Sequence, residues 1–451
     1  MSDILYHKSA FPIFKNNPTL VYLDSAATTH KPRSVIKAET DFYSKYNANV
    51  HRGIYGIAVH ASTAYENVRE KTAVFIGAAD KKEIIFTGGT TAGINLVAQS
   101  FLAPQLQAGD EVIISAMEHH ANLIPWQQVC FQKKALLRII PVKENGTLDL
   151  EIYEKLLNER TKFVAVTHIS NTLGTVNPIE KIIESAHKKN IPVLIDAAQS
   201  ITTHEITVSG RWSVVSDQFD RKTDNRPLTT EHRIDADFLV FSAHKLFGPT
   251  GVGILYAKAK HLEQMQPIQF GGDMIRDVSF ERTIFAPSPH RFEAGTPNVA
   301  GIIGLGAAID FINKIGRKNI FEHTQRLLHI AEEKLLNIKG VSIIGFRSSD
   351  LQNKEGFALS EDFLHPKSDI RNQKSAIVSF LIGDIHPHDA ATILAQRNIC
   401  IRAGQHCTQP LMDFLNLPAT LRASFSIYNT ENDIDKLVDG IEEVKRVMRV
   451  K

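Results

Sequence analysis

The sequence predicts an α/β protein: a large domain with a mostly parallel sheet flanked by helices, and a smaller α+β domain. Two observations carry this. From about residue 20 to 310, apolar runs of strand length alternate with longer amphipathic stretches. Near-continuous hydrophobicity in such runs suits strands covered on both faces. After about residue 310 the alternation gives way to a long helical stretch, isolated strand-like runs and a final helix. The expected division is 20–310 for the large domain, and 1–19 with 311–451 for the small one.

In chain order, the strand candidates of the large domain are Glu83–Thr87, Glu111–Ser115, Phe163–Thr167, Val193–Asp196 and Phe238–Ser242. Each run ends in polar residues: Thr90 and Thr91, Glu118 to His120, His168 and Asn171, Asp196, and His244 with Lys245. Ligands of open α/β sheets bind outside the carboxyl ends of the strands, so these groups are expected to share one crevice. In the small domain, Phe321–Leu336 reads as a helix, Val341–Gly345 and Ala376–Ile382 as strands, His388–Arg397 as a helix and Glu431 as the start of the last helix. Two polar stretches, about 208–235 and 347–374, interrupt the periodicity and read as surface insertions. The first, lying between the Asp196 and Lys245 strands, is expected to form a hairpin or lobe near a subunit or acceptor interface.

Composition excludes several classes. Lys plus Arg number 51 against 49 Asp plus Glu, a net charge of +2, which gives no electrostatic case for nucleic acid or an anionic membrane. No apolar run approaches the roughly 18–20 residues of a spanning helix. The first ten residues carry Asp3, His7 and Lys8 and lack a signal-peptide pattern. Three cysteines are too few for a disulfide framework, so a cytoplasmic protein is expected.

Lys245 ends the buried-strand pattern that begins at Phe238, before the turn Gly248–Gly251. A buried lysine is costly unless paired or neutralised. Such a lysine serves either as a Schiff-base residue for an aldehyde cofactor, above all pyridoxal phosphate, or as a stem that snorkels to water. Upstream, Glu83 to Asn95 is a strand, a Gly-rich turn and a helix start. Its free N–H groups and the Thr90 and Thr91 hydroxyls suit a phosphate, a plain capped turn being the alternative. Asp196 ends a strand as a carboxylate that either pairs with a pyridinium nitrogen or caps the next helix. Gln199, three residues on, is placed to donate to a ring hydroxyl. His119 and His120 lack a third ligand of metal-site type, so no metal is expected, and stacking on a planar cofactor suits one imidazole better. Cys407 lies in a loop after Gly404, with Arg402 and His406 close in sequence. It is either a nucleophile or an inert thiol. Cys400 alternates with Ile399 and Ile401 as strand core, and Cys130 reads as helix core. Arg422, beside an apolar pattern, needs a carboxylate or phosphate, either a substrate's or a structural partner's.

Together these motifs resemble the fold-type I pyridoxal-phosphate enzymes of the class V aminotransferase group, and within it the Suf-type cysteine desulfurases. The matching stretches are Tyr22–Thr29, His51–Gly53, Gly89–Asn95, Met117–Asn122, Asp196–Gln199, Ser242–Lys245, Phe292–Asn298, Arg402–Cys407 and Arg422–Ser424, which run in order through nearly the whole chain. The resemblance implies that Lys245 holds pyridoxal 5'-phosphate, His119 stacks on its ring, Asp196 pairs with the pyridine nitrogen and Gln199 contacts the ring oxygen. Thr90, Thr91, Ser242 and His244 would hold the phosphate, and Thr296, in a family of dimers, would reach the phosphate of the neighbouring subunit. Asn171, Arg422, His51 and Arg402 would bind the substrate.

The same resemblance implies conversion of L-cysteine to L-alanine. Lys245 would move the Cα proton, and Cys407 would receive the sulfur as a persulfide. The sulfur would pass to an acceptor protein of the Suf type for iron–sulfur cluster assembly. Selenocysteine lysis, which does not require Cys407 as sulfur acceptor, is one competing reading; another epimerase or lyase reaction on the same scaffold is a second, and Cys407 is the residue that argues against that one. One departure stands out: Gln405 occupies a position where the family commonly has a second histidine, and it cannot titrate.

Overall fold

The apolar runs assemble into a seven-stranded sheet in a computed structural model, which describes residues 8–208, 233–345 and 374–449. Across the sheet the strands run Ile84–Thr87, Gly253–Ala257, Phe238–Ser242, Val193–Asp196, Thr161–Thr167, Glu111–Ser115 and Leu136–Ile140. Gly253–Ala257 pairs antiparallel with both its neighbours, and the other four pairings are parallel. The mostly parallel sheet expected from the sequence is therefore present. Two of its strands were not expected. Leu136–Ile140 is an edge strand in which Ile140 is buried and the other four residues are exposed or half-buried. Gly253–Ala257 begins at the turn where the chain was read only as leaving the sheet.

Both faces of the sheet are buried, which explains the continuous hydrophobicity. Ile113, Val164, Val166, Leu239 and Phe241 point to one core. Their neighbours Val112, Ile114, Phe163, Ala165, Phe238 and Val240 point to a second. The first core is closed by helices Gly56–Ile76 and Val299–Ile315, through residues such as Val68 and Leu305. The second is closed by Thr90–Leu96 and Ile124–Lys133, with Ile94 and the fully buried Trp126.

A four-stranded antiparallel sheet, in the order Val341–Ile344, Ile377–Ile382, Thr420–Ser424 and Arg402–Gly404, forms a third core. Helices Arg317–Leu336, Pro387–Gln396 and Glu431–Val447 cover it. The N-terminal segment serves both bodies: Phe11 and Phe14 pack into the first core, whereas Val21 and Leu23 pack into the third. Val21–Tyr22 pairs in parallel with Ile399–Cys400. That pairing corrects the reading of Cys400, which is on a strand but only half-buried, because alternation gives the core face to Ile399. Cys130 is buried in its helix as expected, and burial pushes its thiol up to about 11.

Among the described residues no single helix is long and apolar enough to cross a membrane. The two polar stretches, and the hairpin or lobe expected of the first, fall almost entirely outside the described residues.

Candidate active site

The parallel strands release their polar residues at one edge, against the small domain. Thr90, Thr91, His119, Asn171, Asp196, Gln199, Ser242, His244, Lys245, Arg402 and Arg422 all line one cleft of about 180 Å³. Eleven of the fourteen residues anticipated from the sequence thus meet in one place; Cys407, Thr296 and His51 do not line it.

Lys245 sits in a single 3₁₀ turn, Ala243–Lys245, immediately after the Phe238–Ser242 strand. The turn is clasped from the N-terminal segment. The carbonyl of His244 accepts from Thr29 N, Thr28 Oγ1, Thr29 Oγ1 and Lys31 Nζ at 3.0–3.1 Å. Burial pushes the Lys245 ammonium down to about 8, against the pull of Asp196 and with the help of Arg422 and Arg402. At pH 7 about a tenth of such an amine is neutral, against fewer than about one in a thousand for an ordinary lysine. In cofactor-free protein, the rate of Lys245 acetylation should rise with pH to a midpoint near pH 8. A midpoint above about 10 would mean a solvated amine.

Asp196 is buried and accepts from Ala198 N at 2.9 Å. Burial raises its carboxyl, with Lys245 opposing, so the site favours a cation beside it. The segment beyond Asp196 is a run of turns rather than a helix. Gln199 still reaches the cleft and donates from Nε2 to the Ala26 carbonyl at 2.9 Å.

The hydroxyls of Thr90 and Ser242 lie 2.7 Å apart, and Thr90 N donates to Ser242 Oγ at 2.8 Å. Glycine is needed here: a Cβ on Gly253 would lie 2.4 Å from Gly89 Cα. Burial lowers His244 to about 4, so this side chain joins the hydroxyls as a neutral ring.

His119 is neutral too, lowered to about 3 by burial and by Lys245. Its Nδ1 accepts from Ala121 N at 3.0 Å, which leaves the ring proton on Nε2. Behind it the buried Glu118 accepts from Asn122 Nδ2 at 2.6 Å, Thr167 N at 2.9 Å and Ser115 Oγ at 2.5 Å. Burial raises Glu118 to about 8.

Arg422 is 1% exposed. Its Nη1 donates to the Asn171 carbonyl at 2.9 Å and its Nη2 to Asp24 Oδ1 at 2.8 Å, while the buried Nε has no hydrogen-bond partner among the described residues. Arg402 faces it across the strand ladder. The structural partner expected of Arg422 is therefore present in Asp24, and Arg402 sets a second guanidinium beside it. The aspartate was missed, although Asp24 follows the apolar Val21–Leu23 as the other strand-end carboxylates follow theirs.

The Cys407 loop closes over this arrangement. His406 and Cys407 are both left-handed, with φ of 53° and 60°. Side chains rarely adopt that region, at a cost on the order of 1–3 kcal/mol each. The loop is held from the large domain: Asn171 Nδ2 donates to the His406 carbonyl at 2.7 Å, and the Thr172 and Thr408 hydroxyls pair at 2.8 Å. Cys407 is half-exposed, and Arg402 Nη2 donates to its sulfur at 3.6 Å. Gln405 contributes its carbonyl, which accepts from Thr408 N at 2.9 Å. His406, lowered to about 3 by burial and the two arginines, lines the cleft and was not singled out as a site residue.

Thr296 is exposed, away from the cleft. His51 sits in a separate ionic cluster with Glu66 at 3.1 Å and Asp273 at 3.6 Å. His51, Glu66 and His290 bring ligand-type atoms within 4.8 Å of one another, but Arg69 already supplies Glu66 with a cation.

The chain belongs to the class-V aminotransferase family, whose profile matches residues 21–211, 228–368 and 354–437. It is similar to a probable cysteine desulfurase of Halalkalibacterium halodurans, 42% identical over 441 residues and covering 97% of each chain. A cysteine desulfurase of Escherichia coli K12 is 40% identical over 445 residues, 98% of each. Among solved structures, the cysteine desulfurase CsdA of Escherichia coli superposes with a TM-score of 0.82 at 34% identity. The apo cysteine desulfurase of Thermococcus onnurineus NA1 gives 0.83 at 32%, and both comparisons cover 98% of each chain.

Proposed function

We propose that this chain is a cysteine desulfurase. With pyridoxal 5'-phosphate as cofactor it converts L-cysteine to L-alanine and holds the released sulfur as a persulfide on Cys407. The observation that carries the reading is the meeting of a strand-end lysine, a buried strand-end aspartate and two anion-seeking arginines in one cleft, with a cysteine loop tied to its rim.

The donor set fits the cofactor. Asp196, raised by burial, suits a protonated pyridine nitrogen. Thr90, Thr91, Ser242 and His244 suit the phosphate, Lys245 the aldehyde, His119 the ring face and Gln199 the ring oxygen. When bound, pyridoxal phosphate supplies an electron sink for the pair left by Cα–H cleavage.

The chain's own residues do the rest. Arg422, fixed by Asn171 and Asp24, binds the substrate carboxylate, with Arg402 as a second cation. Lys245 Nζ, poised near neutrality, takes the Cα proton and holds it for return. Cys407 Sγ then attacks the substrate sulfur: an S–S bond forms, the C–S bond breaks, and its electron pair with a proton completes the methyl group of alanine. The sum is cysteine plus enzyme thiol giving alanine plus enzyme persulfide. Cys407 is half-exposed, which lets an acceptor thiol collect the sulfur.

The Suf-type acceptor, iron–sulfur cluster assembly, homodimerisation and a cytoplasmic location are parts of the same reading. Three free cysteines suit a reducing compartment. Ile54, Tyr55, Ile57 and Val59, exposed by 96, 55, 48 and 51%, supply apolar surface for a second copy. His51 and Thr296, outside their own subunit's cleft, would then serve the neighbouring one. The test is stoichiometry. With L-cysteine and a thiol reductant, alanine and sulfide should appear in equal amounts; pyruvate or racemised cysteine in place of alanine would overturn the assignment.

A further inference from the structure

His120 has no part in the chemistry above and does not line the cleft, yet it touches the sulfur-carrying loop twice. Its backbone N–H donates to the carbonyl of Cys407 itself at 2.8 Å. Its ring Nε2 accepts from Gln409 N at 3.1 Å, which places the ring proton on Nδ1. The two contacts therefore straddle the left-handed turn on its C-terminal side. Asn171 and Thr172 hold the same turn at His406 and Thr408, from a different strand end. Gln409 opens helix Gln409–Phe414, so its N–H has no partner within that helix. His120 also begins the short turn His120–Asn122, whose Ala121 N–H fixes the tautomer of His119. One three-residue turn thus presents the cleft-lining imidazole on one side and grips the cysteine loop on the other.

We propose that His120 is a positioning residue for sulfur transfer: it clamps the Cys407 turn to the His119 segment and so sets the acceptor sulfur against the cleft. The proposal rests on the reading of Cys407 as sulfur acceptor. The backbone contact survives any side-chain change, but the ring contact does not. Without the ring, the Gln409 N–H is released and one restraint on the left-handed turn is lost. Cofactor binding, which depends on Lys245, Asp196 and the hydroxyl cradle, is untouched by this.

The test compares holoenzyme forms of the parent, His120→Ala and His120→Gln, whose amide oxygen reaches about as far as Nε2. Cofactor absorbance reports loading, and mass spectrometry after rapid mixing with L-cysteine reports the rate of persulfide formation on Cys407. In His120→Ala the cofactor band and KM should stay near the parent's while persulfide formation slows about ten-fold or more, a misplacement effect. His120→Gln should recover to within about three-fold of the parent. A general loss of structure would instead lower the band and the persulfide rate together. Parent-like persulfide formation in His120→Ala, or a His120→Gln as slow as it, overturns the clamp. Should His120→Ala not fold, His120→Asn, whose oxygen stops one bond shorter, is compared with His120→Gln, and equal rates overturn the proposal. A parent that makes alanine without any persulfide removes the Cys407 reading, and this proposal with it.

Discussion

Lys245→Ala is expected to lower desulfuration by at least about a thousand-fold, because in the proposed mechanism one side chain both anchors the cofactor and moves the Cα proton. The Schiff-base absorbance, at about 420 nm, should disappear with it. Folding should survive. Lys245 is the cation in a cleft that already holds Arg402 and Arg422, and burial disfavours its charge. Removing it relieves that cost and leaves Asp196, already raised by burial, free to take a proton. Thermal unfolding of the cofactor-free variant should therefore lie close to that of the cofactor-free parent. A variant that kept both its band and its turnover would show that another amine does this work, and the proposed site would be wrong.

Cys407→Ala is expected to have an effect of similar size on a different observable. Cofactor loading and its absorbance should remain, because no cofactor-binding group is lost. Alanine formation from L-cysteine should fall by at least about a hundred-fold, the range in which loss of a positioned nucleophile is felt. Selenocysteine separates the alternatives. A carbon–selenium bond that releases selenium without a thiol acceptor would keep selenide formation largely intact in the same variant. Equal losses on both substrates would make Cys407 the acceptor in either case. Unchanged desulfuration would return it to the status of an inert loop thiol.

The large sheet and most of its site were legible because both rest on local patterns. An apolar run followed by polar residues marks Val193–Asp196 and Phe238–Ser242 without reference to the rest of the chain, and the strand-end rule then gathers Asp196 and Lys245. What escaped has no such signature. Leu136–Ile140, an edge strand, is buried only at Ile140 and carries Arg138 mid-run, so it lacks the continuous run of a buried strand. Gly253–Ala257 is apolar throughout, but hydrophobicity does not record strand direction, and here the chain turns back antiparallel. The clasp of Thr28, Thr29 and Lys31 on the His244 carbonyl joins residues more than two hundred apart. So does the tie between His120 and the Cys407 loop. Such pairings depend on how distant parts of the chain meet in the fold. The Asp24–Arg422 pair belongs with them: each residue was visible within a motif, but only the fold shows that one fixes the other.

The pKa shifts gathered in the cleft make one pattern. Burial pushes His119, His244 and His406 well below the usual imidazole range, which leaves them neutral at pH 7. The fixed positive charge then resides on Arg402 and Arg422, at the end where a substrate carboxylate is expected. Lys245 is left as the group able to exchange a proton near neutrality, with a midpoint of about 8. The proposed mechanism thus divides binding, stacking and proton transfer among different side chains.

The proposed function places the transferred sulfur on Cys407. Mass spectrometry of the protein after brief incubation with L-cysteine, in the absence of reductant, tests it most directly. The Cys407 peptide should gain the mass of one sulfur atom, while the peptides bearing Cys130 and Cys400 stay unmodified. Alanine production with no added sulfur on Cys407 would overturn its assignment as the sulfur acceptor.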